Sequence, residues 1–390
     1  MVDTLPIQKT LTPADAGELA AQVRDAFDRD TPLYPIGGGT SLEFGMPVKA
    51  SGNGLALEKL NRVIDYPARD MTVTVEAGVT MQTLADLLAT ERQRLPIDVP
   101  ATERATIGGV IATNWNGPRR YGQGGVRDHV IGIHAVDGRG MPFKGGGRVV
   151  KNVAGYDFCK LLTGSLGTLG VITQVTLKLK PLPEQSVLVG SRLPNLDAAE
   201  KLLASLVRSE TTPTAIELLA GPAWQQESIL LPLHEGGAVG EACLVVGLEG
   251  TVAEIDYMVR QLTSEWRAAA AVQPLVLGES AALWRRLAEF PAEGNSPLVL
   301  KASVVPSGVT ALVAAARKLD PASSIQAHAG NGTVLIKLAA FPAQGLSRAL
   351  VGDLQPVAAA HRGHVVVLSN PSGAEMTHQS VWGAIDAPLS

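Results

Sequence analysis

Ala105-Thr106-Ile107-Gly108-Gly109-Val110-Ile111-Ala112-Thr113-Asn114-Trp115-Asn116-Gly117-Pro118-Arg119-Arg120 is the stretch on which the reading of this chain turns. It lies inside a Gly-, Pro- and Thr-rich segment from Pro96 to Gly125. It is too long for a turn and too polar and glycine-rich for a strand. Loops of this length inside a compact domain are usually functional. Adjacent glycines permit close backbone approach, Thr and Asn supply donors, and two guanidinium groups close the stretch. The alternative is a surface loop with an exposed arginine pair.

Two further clusters flank it. Upstream, the strand Leu33 to Ile36 runs into Gly37-Gly38-Gly39-Thr40-Ser41. Three glycines let successive N–H groups turn inward as an anion nest, and the two hydroxyls add donors. This suits a pyrophosphate. It is not a Walker A loop, because no Gly-Lys-Ser/Thr follows. It is not a dinucleotide fingerprint either, because Leu42 stands where the third glycine belongs. An ordinary glycine-rich turn is the other reading. Downstream come Lys151-Asn152-Val153-Ala154-Gly155-Tyr156-Asp157 and Gly164-Ser165-Leu166-Gly167-Thr168-Leu169-Gly170-Val171-Ile172-Thr173. Helix capping explains one or two of these glycines, not three at a spacing of three.

The surrounding pattern alternates helix and strand. Ala14 to Ala26 and Met81 to Arg92 read as helices; Met71 to Val75, Val130 to Val136 and Val171 to Leu179 read as strands. Pro181-Leu182-Pro183-Glu184 reads as a boundary, giving domains over 1–185 and 186–390. In the second, helices over Leu196 to Arg208, Ile255 to Trp266, Ser280 to Phe290, Thr310 to Leu319 and Gly345 to His361 alternate with strands. Those strands are Val187 to Gly190, Cys243 to Leu248, Leu298 to Val305 and His364 to Leu368, with a hairpin around Gly330-Asn331-Gly332. This predicts an antiparallel sheet with helices on one face, an α+β layer.

Composition narrows the function. Apolar residues make up 46% and charged residues 18% of 390, which excludes a disordered chain. A net charge of −4 and 4% aromatics argue against nucleic-acid partners. Cys159 and Cys243 are the two cysteines, too few for an iron–sulfur ligand set or a zinc site. Free thiols suit a reducing compartment. Met1 to Thr10 holds no signal-peptide core and no apolar run is long enough to span a membrane, so the expectation is cytoplasmic.

Together the three clusters resemble the FAD-binding domain of the vanillyl-alcohol oxidase / p-cresol methylhydroxylase superfamily. That family is marked by a glycine-rich pyrophosphate loop, a TIGG-x-x-ATN segment and a KN-x-x-GYD…G-x-x-GTLG-x-x-T segment. Within it, Gly117-Pro118-Arg119-Arg120, Val126-Arg127-Asp128 and Val150 to Asp157 look most like the FAD-binding E subunits of bacterial glycolate oxidases. The resemblance covers roughly residues 10–185 and is weaker beyond.

It implies an α+β fold: a two-part p-cresol-methylhydroxylase-type FAD-binding domain, then an antiparallel, ferredoxin-like α+β cap domain. It implies that Ile36, Gly37, Gly38, Gly39, Thr40 and Ser41 cradle the pyrophosphate. Pro100, Thr106, Ile107, Gly109, Thr113, Asn116 and Gly117 would line the cofactor's path, and the Gly167 to Ile172 segment, with Gly170 and Ile172, would approach through its backbone. Some members attach FAD through a His in the first loop or a Cys in the second. Residues 31–45 hold no His and 96–128 no Cys, so FAD is expected to be non-covalent. Cys159 reads as a core thiol.

The resemblance also implies a glycolate-oxidising complex: this chain, a homologous FAD subunit and an iron–sulfur subunit, acting on a small 2-hydroxy acid, with any membrane association through partners. Related dehydrogenases carry a HAGDGN-x-H-type motif whose histidines help hold a metal. This chain has His328-Ala329-Gly330-Asn331-Gly332-Thr333-Val334-Leu335, with Leu335 in the second His position. No metal site is therefore expected, and His328 reads as a remnant or a hydrogen-bonded core histidine. Trp284-Arg285-Arg286 resembles the family's substrate-side helix, so Arg285 or Arg286 is a candidate for pairing a carboxylate; a solvated helix face is the alternative. An FDP-x-x-x-x-NPGR-like ending is missing before Ser390: either the chain is truncated or this lineage dispenses with it. Two other readings stay open, a stand-alone FAD-dependent oxidoreductase and a degenerate flavin scaffold or electron relay. Leu335 favours the scaffold over the stand-alone enzyme.

Overall fold

The computed structural model describes residues 5–147, 156–234, 242–270 and 272–382. Lys151 to Gly155 of the third cluster lie outside them. The chain divides into two compact units. The first holds Met1–Leu42, Pro47–Gly117 and Gly124–Leu182; the second holds Pro183–Ser390 together with two short excursions, Glu43–Met46 and Pro118–Gln123.

The first unit has the two-part build expected of it. Strands β1 (Ile7–Leu11), β2 (Leu33–Ile36) and β3 (Gly52–Ala56) form a parallel sheet in the order β1-β3-β2. Helix α1 (Ala16–Asp28) starts where Asp15 accepts from the Gly17 and Glu18 amides. Its Leu19 and Val23 are packed with Leu55 and Leu60. Then follow β4 (Val63–Asp65), β5 (Thr72–Glu76), β6 (Gln93–Arg94), β7 (Val130–Val136), β8 (Pro142–Gly146), β9 (Val171–Lys178) and β10 (Lys180–Pro181). β6 pairs with β10, and the others make an antiparallel sheet ordered β4-β5-β9-β7-β8. Helices α2 (Met81–Ala89) and α3 (Ile107–Thr113) cover it, with Leu84, Leu88, Ile107 and Ile111 against Val73, Val75, Ile133 and Val175.

α3 departs from the loop expected over Pro96 to Gly125. Gly108 and Gly109 are poor helix formers, so the helix rests on tertiary partners. Thr106 caps it by accepting from the Gly109 amide, while Ile107 and Gly108 donate to the carbonyls of Val79 and Ala77.

The remaining short helices are α4 (Arg120–Gln123), α5 (Val126–His129) and α6 (Phe158–Leu162). The second unit is one antiparallel sheet. Its strands are β11 (Gln185–Leu193), β12 (Ala215–Ala220), β13 (Ala242–Gly250), β14 (Leu275–Leu277), β15 (Leu298–Ser303), β16 (Ser324–His328), β17 (Thr333–Leu338) and β18 (His364–Ser369). They run in the order β14-β11-β13-β12-β16-β17-β15-β18. β16 and β17 are the expected hairpin. β12 was not foreseen, because Ala-Ile-Glu-Leu-Leu-Ala is buried throughout and alternates on neither scale.

Helices α7 (Leu196–Leu206), α8 (Pro222–Gln225), α9 (Val252–Ala270), α10 (Ser280–Glu289), α11 (Val309–Leu319), α12 (Gln355–Ala360) and α13 (His378–Trp382) complete the unit. α7, α9, α11 and α12 share one core with Ile216, Leu218, Val246, Leu300, Val334 and Ile336 of the sheet. The helix expected over Gly345 to His361 opens instead as a wide π-type turn over Arg348–Leu354, with α12 following directly from Gln355. Among the described residues no helix is long and apolar enough to cross a membrane.

Candidate functional site

In the first unit the structure brings the three glycine-rich clusters together. β2 delivers Ile36 to the loop Gly37–Ser41, which is half-buried up to an exposed Thr40. A methyl placed on Gly37 would overlap the Thr106 hydroxyl, and one on Gly38 would overlap the Arg104 carbonyl. These two glycines therefore let the first loop lie flat on the second. Gly39 differs. Its φ is +66° and its nearest neighbours for an added methyl are 3.8 Å away, so this glycine serves a left-handed turn.

The decisive property of the loop is what its amides lack. Ile36 accepts from the Leu57 amide, but the N–H groups of Gly37, Gly38, Gly39, Thr40 and Ser41 donate to no acceptor among the described residues. Backbone donors rarely stay unpaired unless water or a ligand takes them. Successive free amides in a glycine turn are the geometry that binds phosphate oxygens. Arg104 donates to the Gly38 and Gly39 carbonyls at 3.2 and 3.3 Å, turning those oxygens to the guanidinium side. Sequence reasoning passed over Arg104, which carries no motif signal.

The second cluster stands beside this loop. Pro100 is half-buried and leads into a turn in which Ala101 accepts from Arg104 and Ala105. Thr106 is buried as the cap of α3. Ile107 is fully buried, with its amide on Val79, so its side chain belongs to the core. Gly109 and Thr113 are half-buried on α3, and the Thr113 hydroxyl donates to the Gly109 carbonyl at 2.9 Å. Asn116 is braced on both ends: its amide nitrogen donates to the Asn114 carbonyl, and its oxygen accepts from the Val126 amide at 2.8 Å. Gly117 is buried against Asp98, where a methyl would meet Asp98 Cβ at 2.6 Å.

The third cluster closes on the end of α3. Gly164 and Leu166 donate to the Ile111 and Ala112 carbonyls. Gly167, at φ +73°, lies near Pro35. Between them the Ser165 hydroxyl is buried without a partner. Gly170 abuts the Val136 carbonyl, and the Ile172 side chain is buried in β9. Free amides, an unpaired buried hydroxyl and glycine-lined contacts fit a phosphate-bearing cofactor laid along these loops.

Residues 7–145 match the family model described as FAD binding domain. FAD is thus the cofactor of the matched segment. The chain is 32% identical over 214 residues to glycolate oxidase subunit GlcD of Bacillus subtilis, covering 54% of this chain and 45% of that one. It is 36% identical over 170 residues to GlcE of Escherichia coli, covering 43% and 48%. It is 36% identical over 194 residues to a D-2-hydroxyglutarate dehydrogenase of Xanthomonas citri, covering 50% and 41%. The chain spans about half the length of the curated relatives it matches. Solved structures with this fold include alkyldihydroxyacetonephosphate synthase (TM-score 0.71, 19% identity, 91% of this chain and 72% of that one). Substrate-bound p-cresol methylhydroxylase is another (0.67, 15%, 86% and 77%).

The second unit holds the remaining candidates. Arg285 is exposed on α10. Arg286 is half-buried, pairs with Glu227 at 3.2 Å and with Glu293, and stacks over Trp224; its guanidinium is already engaged. Arg119, which the sequence grouped with the first-unit loop, sits here instead. Its Nε lies 2.8 Å from the buried Glu249 carboxylate, and its guanidinium stacks 3.8 Å from the centre of the Trp284 ring. Ser186 ties Trp284 and Glu249 together.

His328 is buried on β16, with Nδ1 2.8 and 2.9 Å from the two oxygens of the fully buried Glu217. Leu335 stands between Gln326 and Lys301 on neighbouring strands. Burial, then the neighbouring Arg120, pulls the Lys301 amine below the usual lysine range. No group of three or more His, Cys, Asp or Glu is placed to hold a metal among the described residues. Burial pushes the Cys159 thiol up to about 11 and that of Cys243 to about 12, so both stay protonated and inert at neutral pH.

Proposed function

We propose that the chain is the flavin-bearing component of an enzyme that oxidises a small 2-hydroxy acid, working in a glycolate-oxidising assembly beside a homologous FAD subunit and an iron–sulfur subunit. The observation that carries the reading is the run of amides from Gly37 to Ser41, five that find no acceptor among the described residues, inside the segment that matches FAD binding domains. The names of the relatives support the substrate class: glycolate and 2-hydroxyglutarate share a hydroxyl on the carbon next to a carboxylate.

Bound FAD supplies a two-electron oxidant that accepts hydride from the α-carbon. The chain's residues hold and orient it. The amides and hydroxyls of Gly37 to Ser41 hold the pyrophosphate. Thr106, Gly109, Thr113, Asn116 and Gly117 line its path, and Ser165 adds a donor. Gly170 and Ile172 offer backbone only. With no His or Cys in the two cofactor loops, attachment is non-covalent.

Leu335 supports a role inside an assembly. A leucine neither binds a metal nor polarises a hydroxy acid, and one missing charge-stabilising contact costs on the order of a hundredfold or more in rate. The chain alone is therefore expected to reduce dye with glycolate slowly per flavin, and the reconstituted three-subunit complex quickly. Equal rates per flavin would sink the assembly role in favour of a stand-alone dehydrogenase.

A further inference from the structure

Lys337 stands on β17 between Ile336 and Leu338, both of which pack into the helix-covered core of the second unit. The strand's period of two sends its side chain to the opposite face. There it meets the segment that follows α10. Its amine donates to the Phe290 carbonyl at 2.8 Å and to the Glu293 carbonyl. Among the described residues it has no third hydrogen bond and no carboxylate partner. A cavity of about 270 Å³ opens beside it, walled in part by Lys337, Arg286, Gly294, Ser296 and Ser324. A water takes about 30 Å³ of liquid, so the space holds one small metabolite. A methyl added to Gly294 would lie 4.0 Å from the amine, so the loop passes Lys337 as bare backbone.

Arg286 and Lys337 share an aromatic floor. The Trp224 and Phe290 rings lie 4.9 Å apart, centre to centre. The guanidinium is 5.0 Å from the Trp224 centre and the amine 4.9 Å from that of Phe290. Arg286 gives Nε to Glu227 and Nη1 to Glu293, which leaves Nη2 without an acceptor among the described residues. The Ser324 hydroxyl accepts from the Ala223 amide and keeps its own hydrogen to donate.

Two carbonyl acceptors suit a neutral amine. An ammonium has three N–H donors and no lone pair. A neutral amine has two N–H donors, both satisfied here, and one lone pair left over. Burial, then Arg286, lowers the amine to about 8 against the opposing pull of Glu293. At pH 7 roughly a tenth of it is neutral, against less than about 0.1% of an ordinary lysine. A desolvated lysine beside a second cation is an activated nucleophile.

We propose that Lys337 is a nucleophile and that this cavity takes a small 2-oxo acid. The carboxylate lies against Arg286 Nη2 and the Ser324 hydroxyl, and the carbonyl carbon faces Nζ. In the step, the Nζ lone pair forms a bond to that carbon and the C=O π pair moves to oxygen. The oxygen takes the proton that nitrogen gives up, which makes a carbinolamine. Loss of water then leaves a C=N imine. Nothing is oxidised or reduced and FAD takes no part, so failure here leaves the flavin reading untouched. A lysine that only braced the end of α10 would make the same two hydrogen bonds and would not react.

The test exposes the FAD-loaded chain to glyoxylate with cyanoborohydride, which reduces an imine to a stable secondary amine. Mass spectrometry of peptides then locates the labelled lysines. At pH 7 Lys337 should label at least about tenfold faster than the exposed Lys9, Lys59 and Lys201. Its labelling should level off above about pH 8, while theirs still climbs toward about pH 10. Acetaldehyde, which lacks the carboxylate, should lose most of the preference for Lys337. Arg286→Gln should slow glyoxylate labelling there about tenfold, because the anchor and the neighbouring cation go together. Wild-type labelling of Lys337 no faster than of the exposed lysines overturns the proposal, makes the residue a brace and needs no variant to fold. Equal preference for acetaldehyde overturns the 2-oxo acid assignment.

Discussion

Gly38→Ala tests whether the first loop is a cradle set by its contact with the second. The added methyl would overlap the Arg104 carbonyl carbon and oxygen and lie 3.2 Å from the Ala105 nitrogen. Those neighbours are backbone, so no side chain can swing aside. The two segments must part by roughly 1–2 Å to recover ordinary contact distances. Overpacking of this kind costs about 1–3 kcal/mol, occasionally more. For a unit of this size that is a drop of roughly 2–12 °C in the melting temperature of the FAD-free protein. Opening the contact also moves the amides of Gly38 and Gly39 and weakens the Arg104 hold on their carbonyls. FAD affinity should fall at least tenfold, worth about 1.4 kcal/mol. The assay is thermal melting with and without added FAD, plus flavin content after gel filtration. Gly138→Ala is the control: nothing lies within 4 Å of its added methyl, so it should stay within about 0.5 kcal/mol of the parent. Stoichiometric FAD and an unchanged melt in Gly38→Ala would refute the cradle.

Acid precipitation should release all the flavin, because neither cofactor loop offers a His or Cys; yellow colour that follows the chain through a denaturing gel would overturn non-covalent binding. Arg119→Ala strips a buried carboxylate of its cation. Removing one partner of a buried pair costs about 3–5 kcal/mol, and the retained Ser186 donor should bring this toward the lower end; denaturant unfolding reads it, and Glu249→Gln in the same chain should restore part of the loss. Burial, then the neighbouring Arg286, lowers the Lys337 amine to about 8. The unfolded chain then binds the extra proton between about pH 8 and 10.5, so this group makes stability rise with pH across that window. Lys337→Met should remove that rise from a series of melts, and an unchanged slope would reject the shift.

Much of the first unit was legible in the sequence because its signals are local. Leu33–Ile36 and Val130–Val136 were bounded correctly by alternation and the turn residues after them. The glycine clusters pointed to a phosphate cradle, an expectation about binding, because few other residues allow so many amides to turn one way. The sequence could not say which glycine does what. Gly37 and Gly38 are required by a loop 66 or more residues away, whereas Gly39 is required by its own φ. Nor could it find α3, whose glycines argue against a helix that only the Val79 and Ala77 carbonyls and the Thr106 cap make stable.

In the second unit the balance tips further toward tertiary structure. Amino-acid order alone determined the hairpin at Gly330-Asn331-Gly332 and the amphipathic helices. The partner of His328 lies 111 residues away on a strand that pattern reading missed, and the partner of Arg119 lies 130 residues away. Local periodicity states which residues share a face, but only the folded sheet states which strand becomes the neighbour. Strand order is set by how all eight strands and their helices bury one common core, and no window of sequence contains that sum. The tautomer of His328 follows from that neighbour, because a carboxylate can accept a proton and has none to give.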